Sequence, residues 1–286
     1  MTPCGVIGLG QMGRGIARRL DAAGMLVAAH DAVPGAVAAA ELSGGVQDDC
    51  AAADVLLFVV PSTGQVVAAL ADMPLREGTV IVDLTTSAPE ASARLAQDLA
   101  ARGCAYVDAA MTGGAAGADA GALTLMLGGE AEVIARIAPV LAQISTQRFH
   151  MGPVGAGHAM KLVHNLILHS AFMATCEGLT LAQKAGLNVD RAVEVLNAGN
   201  ARSFVTEVRF PRDILSGTMN ARSRIANLEK DLGLASHFAD GLGGPASYTH
   251  LTHAMLARAV ANGDGETDFS HLFAMSDALD KDIANG

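Results

Sequence analysis

The residues best suited to chemistry are a lysine and an asparagine in a long apolar segment. Lys161 and Asn165 lie four residues apart in a segment that has no helix-breaking residue from His158 to Cys176 and is entered through a glycine-rich loop. Such a run predicts one long helix, on which side chains four residues apart share a face. A lysine in this setting could keep its amine in water at the surface. It could instead exchange a proton with a substrate, and the helix alone leaves both readings open.

A glycine-rich motif at the amino terminus indicates a dinucleotide site. Gly8-Leu9-Gly10-Gln11-Met12-Gly13 lies between a predicted strand over 3–9 and a predicted helix over 11–23. In that context the glycines allow a pyrophosphate to approach the backbone at the start of the helix. Asp31 ends the next predicted strand, at the position of an acid that binds the ribose hydroxyls of NAD. Because no arginine follows it, NAD is predicted over NADP; the alternative for Asp31 is a turn or capping residue.

The first half of the chain alternates between strand and helix patterns. Beyond the first two strands, strands are predicted over 55–60, 79–83, 105–108, 125–127 and 147–149, and helices over 64–72, 89–101 and 130–143. Repeated strand–helix units predict an α/β fold with a doubly wound, parallel, Rossmann-type sheet.

Ligands of such sheets bind beyond the carboxyl ends of the strands. Three segments lie at these ends: 61–65, 85–87 and Thr112-Gly113-Gly114. The last offers a hydroxyl and open backbone N–H groups to a small carboxylate. The serines and threonines of the first two could instead cap helices, and the glycine-rich segment could be a flexible loop.

After residue 152 the strand patterns stop. Helices are predicted over 190–197, 203–215, 224–240, 248–261 and 271–282. We therefore expect an NAD-binding domain over 1–152 and an all-α substrate and dimerisation domain over 153–286, which includes a long interdomain helix at about 156–186. A long apolar helix leaves surface to bury, which favours a homodimer or homotetramer.

Composition excludes several classes of partner. The net charge of −10 argues against nucleic acid, and no apolar run approaches the ~20 residues of a membrane span. The amino terminus lacks a signal-peptide layout. Four widely spaced cysteines show no metal-type spacing. We expect a soluble cytoplasmic protein that binds no metal.

Five motifs, in order, resemble the β-hydroxyacid dehydrogenase family, and its 3-hydroxyisobutyrate dehydrogenase-like members most closely. They are GVIGLGQMGRGIARRL at 5–20, DLTTSAPE at 83–90, DAAMTGGAAGADAGALTLMLGG at 108–129, GAGHAMKLVHN at 155–165 and KDLGLA at 230–235. The resemblance covers nearly the whole chain. It implies a Rossmann-type domain, a helical domain and an active site between them.

The resemblance also implies roles for individual residues. Lys161 falls on the family's catalytic lysine, Asn165 on the asparagine beside it, and Thr112-Gly113-Gly114 on a substrate loop that is usually Ser-Gly-Gly. Cofactor-binding positions are matched by Gly8, Gly10, Gln11, Met12, Gly13, Asp31, Val60, Pro61, Gln65, Thr86 and Lys230, and Asp231 matches the acid that accompanies Lys230.

The implied reaction is reversible, NAD-dependent oxidation of a small β-hydroxy acid to its semialdehyde or keto acid, with Lys161 as general acid/base. An ordinary lysine pKa of about 10.4 is too high for this task. We expect burial against Met160 and Val163, together with the positive nicotinamide, to lower it toward ~7–8. Asn165 is expected to hydrogen-bond the lysine or the substrate.

Departures from the family pattern leave the substrate open. Ala122 and His164 replace a threonine and an asparagine, and the segment 199–204 matches only loosely. Tartronate semialdehyde, threonate or another short acid are alternatives. An imine reductase is disfavoured because such relatives usually lack the lysine, and a non-catalytic NAD-binding module is a third reading. Arg202 could hold a second carboxylate or be a surface cation; His164 could reach the substrate or merely pack.

Overall fold

The chain forms two compact units in a computed structural model that describes residues 1–43 and 50–285, the last six of these by their backbone alone. The units comprise Met1–Lys161 and Leu162–Gly286. The division falls inside the long helix, nine residues after the boundary expected from the sequence. The reason is that the first turns of this helix pack against the sheet of the first unit, where a Cβ on Gly157 would lie 2.3 Å from the Met126 carbonyl oxygen.

The first unit is built on a seven-stranded sheet with strand order β2-β1-β3-β4-β5-β6-β7. The strands are β1 (Cys4–Ile7), β2 (Leu26–His30), β3 (Val55–Phe58), β4 (Val80–Asp83), β5 (Ala105–Thr112), β6 (Leu123–Gly128) and β7 (Ser145–Gly152). The helices of this unit are α1 (Gly13–Ala22), α2 (Ala36–Ala39), α3 (Thr63–Ala71), α4 (Pro89–Ala100), α5 (Gly114–Ala120) and α6 (Ala131–Ile144), with a 3-10 turn at Cys50–Ala52.

The sheet is mostly parallel, which confirms the predicted Rossmann-type class, but one pairing departs from it. Strand β6 runs antiparallel to β5, with Thr112 opposite Thr124. Only residues 113–122 link these strands, and a parallel connection needs a crossover of about a dozen residues or more. The link holds the short helix α5 and returns the chain in the opposite direction.

Helices cover both faces of the sheet, as in a doubly wound fold. Along β3 the side chains alternate: Leu57 joins the core cluster that contains Ile16 and Leu20 of α1. Phe58 joins the opposite cluster, with Val66 of α3 and Leu95 of α4. Burial on both faces explains why β1, β3 and β4 are wholly buried and read as continuous apolar runs.

The second unit is all-α, as predicted. Its helices are the remainder of α7 (Ala156–Lys184), α8 (Val189–Ala198), a π-type helix (Val205–Leu215), α9 (Ile225–Gly241), α10 (Ser247–Ala259), a π-type turn (Val260–Asp264), a 3-10 turn (Phe269–His271) and α11 (Leu272–Asn285). Phe172 of α7 is central to this core and packs edge-on against Phe269, with ring centroids 5.2 Å apart. Among the helices of the described residues, none is long and apolar enough to cross a membrane.

Candidate active site

The glycine loop between β1 and α1 has the steric features of a dinucleotide-binding turn. Gly8 has a φ of +94°, and a Cβ there would lie 2.5 Å from the carbonyl oxygen of Val59. A Cβ on Gly13 would lie 1.8 Å from the carbonyl oxygen of Gly8. Neither position accepts a side chain. At Gly10, by contrast, a Cβ would meet no atom within 4 Å. This open space next to bare backbone fits a pyrophosphate at the start of α1.

Asp31 lies beside this loop, directly after β2. Its Oδ2 accepts a hydrogen bond from the Leu9 N–H at 2.6 Å. Its Oδ1 accepts from the Val33 N–H at 2.7 Å, the pattern of an Asx-turn. The turn role considered from the sequence is therefore present, and the same carboxylate is tied to the glycine loop. Two backbone bonds thus fix the Asp31 carboxylate against the glycine loop.

The loops after β3 and β4 are joined by one buried carboxylate, that of Asp83. Its Oδ2 accepts hydrogen bonds from Thr63 Oγ1 at 2.8 Å and from the Tyr106 hydroxyl at 2.9 Å, and its Oδ1 accepts from the Thr85 N–H at 2.9 Å. Val60, Pro61, Gln65 and Thr86 lie next to these anchored residues in the chain. The capping alternative is not seen at Ser62, which occupies the N-cap of α3 but donates its hydroxyl to Gln65 Oε1 at 3.4 Å and accepts no hydrogen bond from a backbone N–H of the helix.

Tyr106 is a permanent donor in this cluster. Burial, and next the neighbouring Asp83 carboxylate, raise the pKa of the Tyr106 phenol. The hydroxyl therefore stays protonated throughout the neutral range, and its proton is available to Asp83. The arrangement satisfies a fully enclosed carboxylate with three donors, as a buried charge requires.

The Thr112-Gly113-Gly114 segment is a defined turn rather than a flexible loop. Strand β5 ends at Thr112 and helix α5 begins at Gly114. Gly113 has a φ of +124°, a conformation that favours glycine, and both glycines are exposed. A Cβ on Gly114 would meet nothing within 4 Å. The backbone of this turn is thus accessible to a small anion.

Lys161 is half-buried on α7, three residues after the fully buried His158. Val163, which was expected to help bury the lysine, is itself 39% exposed. Residues two apart on a helix point in different directions, so Val163 is poorly placed for that role.

Asn165 lies in a polar network of the second unit. Its Nδ2 donates to Asp231 Oδ2 at 2.7 Å. Its Oδ1 lies 3.1 Å from His164 Nδ1, which must carry the proton for this bond to form. Lys230 Nζ lies 2.9 Å from Asp231 Oδ1. Both amide atoms of Asn165 are thus engaged by Asp231 and His164. His164, whose role the sequence left open, contacts the asparagine.

Two further observations concern charge and metals. Arg202 Nε lies 3.6 Å from Glu207 Oε1, and the arginine side chain is 64% exposed, so this cation already has an acidic partner. Within the described residues, no group of three or more histidine, cysteine or acidic side chains could hold a metal ion.

Reasoning from the sequence missed the buried polar residues behind the loops, namely Asp83, Asp108 and His158. The sequence did contain a signal for the two aspartates: the segments VIVD (80–83) and AYVD (105–108) each place an aspartate after apolar strand residues. Asp83 and Asp108 are register partners on the adjacent parallel strands β4 and β5, and both are fully buried. A charge in such a position needs donors, so it marks a place where the chain must supply them.

Comparisons with known proteins identify the family of this chain. Residues 3–152 match the family described as the NAD binding domain of 6-phosphogluconate dehydrogenase, and residues 155–276 match that described as NAD-binding of NADP-dependent 3-hydroxyisobutyrate dehydrogenase. The 2-(hydroxymethyl)glutarate dehydrogenase of Eubacterium barkeri is 33% identical, over 93% of this chain and 92% of its own. The NAD-dependent L-serine dehydrogenase of Pseudomonas aeruginosa is 30% identical, over 94% and 96%.

A solved structure is also similar. The 3-hydroxyisobutyrate dehydrogenase of Mycobacterium tuberculosis, described with L-serine, superposes with a TM-score of 0.88 at 26% identity, covering 96% of this chain and 98% of that one. The family matches together span nearly the whole chain, and these relatives are dehydrogenases of hydroxy acids. This chain is an NAD(P)-binding oxidoreductase and belongs to the β-hydroxyacid dehydrogenase family, with relatives of the 3-hydroxyisobutyrate dehydrogenase type.

Proposed function

We propose that this chain reversibly oxidises a 3-hydroxy acid of the 3-hydroxyisobutyrate type to its semialdehyde, with NAD as the hydride acceptor. The observation that carries the proposal is the combination, within one unit, of an open glycine loop at Gly10, an accessible Thr112 turn and a half-buried Lys161. The first suits a pyrophosphate, the second a carboxylate and the third proton transfer.

The substrates named for the relatives share one chemical core. L-Serine, 3-hydroxyisobutyrate and 2-(hydroxymethyl)glutarate each carry a CH₂OH group on the carbon that also bears a carboxylate. They differ in the third substituent of that carbon, which is an ammonium, a methyl or a carboxyethyl group. We infer that the substrate has this hydroxymethyl-carboxylate core and that the third substituent decides which acid is preferred. Tartronate semialdehyde is an alternative within this core, because its reduced form, glycerate, carries a hydroxyl as the third substituent. Threonate is the alternative outside it.

In this reaction, different residues bind the substrate and transfer the proton. The Thr112 hydroxyl and the N–H groups of Gly113 and Gly114 bind the substrate carboxylate and so orient the CH₂OH group. The Lys161 amine, in its neutral form, takes the hydroxyl proton as the aldehyde forms; in the reverse direction the ammonium returns it. Bound NAD supplies the acceptor for the hydride, so that alcohol and NAD⁺ give aldehyde, NADH and one proton.

Removing the lysine tests this assignment. We expect Lys161→Ala to lose about 10²–10⁴-fold in kcat, the usual contribution of general acid–base catalysis, while NADH binding stays intact. Lys184→Ala is the matched control, because Lys184 lies on the same helix but pairs with Asp277 on the surface. Wild-type turnover by Lys161→Ala would rule out the lysine as acid/base.

The substrate is tested with a panel of short acids and NAD⁺, scored by NADH absorbance. The panel contains 3-hydroxyisobutyrate, L-serine, 2-(hydroxymethyl)glutarate and threonate, and the reverse reaction is run with tartronate semialdehyde. We expect the highest kcat/KM for an acid with the hydroxymethyl-carboxylate core. A preference for threonate would move the substrate outside this class, whereas a preference for tartronate semialdehyde would identify the third substituent as a hydroxyl. Turnover of none would favour a non-catalytic NAD-binding protein.

Asp31 supports NAD over NADP. A carboxylate fixed by the Leu9 and Val33 N–H groups accepts hydrogen bonds from ribose hydroxyls and repels a 2′-phosphate. We expect kcat/KM with NAD to exceed kcat/KM with NADP. Asp31→Ser should lower the ratio of these two values. A wild-type preference for NADP would contradict this reading.

The second unit supports a homo-oligomer. Apolar side chains are exposed at Ile167, Leu181, Leu187 and Val195, the last by 70%, beside a largely apolar cavity of about 530 Å³ between α7 and α8. We infer that a second copy covers this face. Light scattering should give a dimer or tetramer, and Val195→Lys should shift it toward monomer. A monomeric wild type would refute the inference.

A further inference from the structure

The amino terminus of α7 is capped by an aspartate from a distant strand. The Gly155 N–H donates to Asp108 Oδ1 at 2.7 Å, and the His158 N–H donates to Asp108 Oδ2 at 2.9 Å. Gly155 accepts the bond from the Ala159 N–H, so it precedes the first turn of the helix, and His158 is the third residue within it. These are the two N–H groups that a capping box satisfies. Gly155 has no side chain to offer, and Asp108 satisfies both.

Close packing around Asp108 fixes where the helix begins. A Cβ on Gly157 would lie 2.8 Å from Asp108 Oδ2 and 2.3 Å from the Met126 carbonyl oxygen. A Cβ on Gly128 would lie 2.5 Å from Asp108 Oδ1. The carboxylate therefore fills a space bounded by the bare backbone of β6 and of α7. Because the backbone of β6 and of α7 lies so close to the Asp108 carboxylate, a shift of the first turn of α7 would break the cap.

The His158 side chain holds the same turn from a second direction. Its Nδ1 lies 2.6 Å from Ser92 Oγ on α4, and its Nε2 lies 4.0 Å from Asp83 Oδ1. The order serine, histidine, aspartate is that of a nucleophilic triad. All three side chains are completely buried, so no substrate can reach the serine. The bond to Ser92 is therefore a structural link between α4 and the first turn of α7, while Nε2 makes no hydrogen bond within the described residues.

We propose that Asp108 and His158 are positioning residues, which fix the first turn of α7 and thereby aim the Lys161 amine at the substrate hydroxyl. The proposal rests on the role assigned to Lys161 above. Lys161 follows His158 by three residues, a rise of about 4.5 Å along the same helix. A loosened or rotated first turn would carry the amine with it, and a misplacement of about 1 Å can cost on the order of 10² in rate.

Asp108→Asn tests the cap with little change of shape. The amide can accept from one of the two N–H groups, but its NH₂ then faces the other donor. We expect amide hydrogen exchange at residues 155–158 to speed up at least tenfold. We also expect kcat to fall about 10²-fold, with NADH affinity within twofold of wild type. Asp98→Asn, an exposed aspartate on α4, is the matched control and should leave both readouts unchanged.

Ser92→Ala is the second variant and covers the case in which Asp108→Asn fails to fold. It removes the partner of His158 Nδ1 and leaves the cap in place. We expect a smaller fall in kcat, about tenfold, again with NADH affinity unchanged. His158→Asn, whose amide can replace Nδ1 toward Ser92, should recover more kcat than His158→Ala.

The outcomes separate this proposal from the proposed function. Loss of NADH affinity in parallel with kcat would show a general loss of structure and would overturn the positioning role. The positioning role would also be overturned if Asp108→Asn showed faster amide hydrogen exchange with a wild-type kcat, or if its amide hydrogen exchange matched that of the wild type. If the wild-type protein turns over no acid, the proposed function fails, whereas the exchange rates still decide whether Asp108 holds the turn.

Discussion

Replacing the buried aspartate behind the cofactor loops tests the site most directly. Asp83→Asn keeps the shape of the side chain and removes its charge. Asp83 accepts three hydrogen bonds, from Thr63, Tyr106 and the Thr85 N–H. A hydrogen bond to a charged group contributes about 1.5–3 kcal/mol and a neutral one about 0.5–1.5. The loss is therefore about 1 kcal/mol per bond, or about 3 kcal/mol of unfolding free energy in total.

A double-mutant cycle isolates one of these bonds. Tyr106→Phe removes a single donor, and we expect it to cost about 1–2 kcal/mol. Because the two side chains touch, their effects should not add, and the coupling energy with Asp83→Asn should be about 1 kcal/mol. Unfolding is followed in urea by circular dichroism. Asp54→Asn, in an exposed ion pair with Arg76, is the control and should change stability little.

The same variant has a functional consequence. Thr63 begins α3, whose first turn carries Gln65, and Thr85 lies in the loop that carries Thr86. Loosening Asp83 should therefore raise KM for NAD more than it lowers kcat. A coupling energy near zero, together with wild-type stability of Asp83→Asn, would show that the three bonds are not formed in solution. Reduced stability with unchanged KM for NAD would instead separate these loops from cofactor binding.

Three other predictions use the same reasoning. Gly10→Ala should raise KM for NAD without loss of Tm, because its Cβ enters open space. Gly13→Ala should unfold the first unit, because its Cβ would lie 1.8 Å from a carbonyl oxygen. Equal losses of Tm in the two variants would contradict this. Burial raises the pKa of the Cys4 thiol to about 12, and all four cysteines are buried, so Ellman's reagent at pH 8 should label the protein only after denaturation. Burial acts to raise the pKa of Asp213, but hydrogen bonds from neighbouring arginines outweigh it and hold the pKa below its ordinary value of 3.8. Its stabilisation is therefore present above about pH 3.8 and is lost as the pH falls through the lower folded value. Asp213→Asn should cost about 2 kcal/mol at pH 7, less than in an enclosed pair because Arg212 is 53% exposed, and the cost should shrink as the pH falls below 3.8. A pH-independent cost measured by urea unfolding would contradict this assignment.

Burial on both faces made the central strands and the long helix predictable from the sequence. The predicted strand at 55–60 is observed as Val55–Phe58, and the predicted helix at about 156–186 as Ala156–Lys184. Strand β7 was harder to predict. It spans Ser145–Gly152 instead of the predicted 147–149, and six of its eight residues are exposed. An edge strand with so little burial carries no hydrophobic period, so its length is set by pairing with β6.

The candidate site likewise has features that could be predicted from the sequence and features that could not. The glycine loop and Asp31 were predictable because their geometry is local and has a sequence signature. The contacts of Asp83 and Asp108 depend on the register of β4 against β5 and on the docking of α7. No pattern within a short window encodes those distances. Lys161 and Asn165 were placed on one helix by their spacing, but Asp231, which accepts the hydrogen bond from the Asn165 amide, comes from α9, 66 residues further along the chain.

The position of Lys161 on α7 is constrained on both sides by aspartates. Asp108 bonds the Gly155 and His158 N–H groups before it, and Asp231 bonds the Asn165 amide after it. A neutral asparagine suits the second contact, because it can donate to Asp231 and still accept from His164. An aspartate at residue 165 would set two carboxylates against each other. A leucine would remove the hydrogen bond to Asp231 Oδ2 and leave the ion pair between Asp231 and Lys230. The residue types on either side of the lysine therefore fix a short stretch of α7, and the proposed role of Lys161 requires such a fixed position.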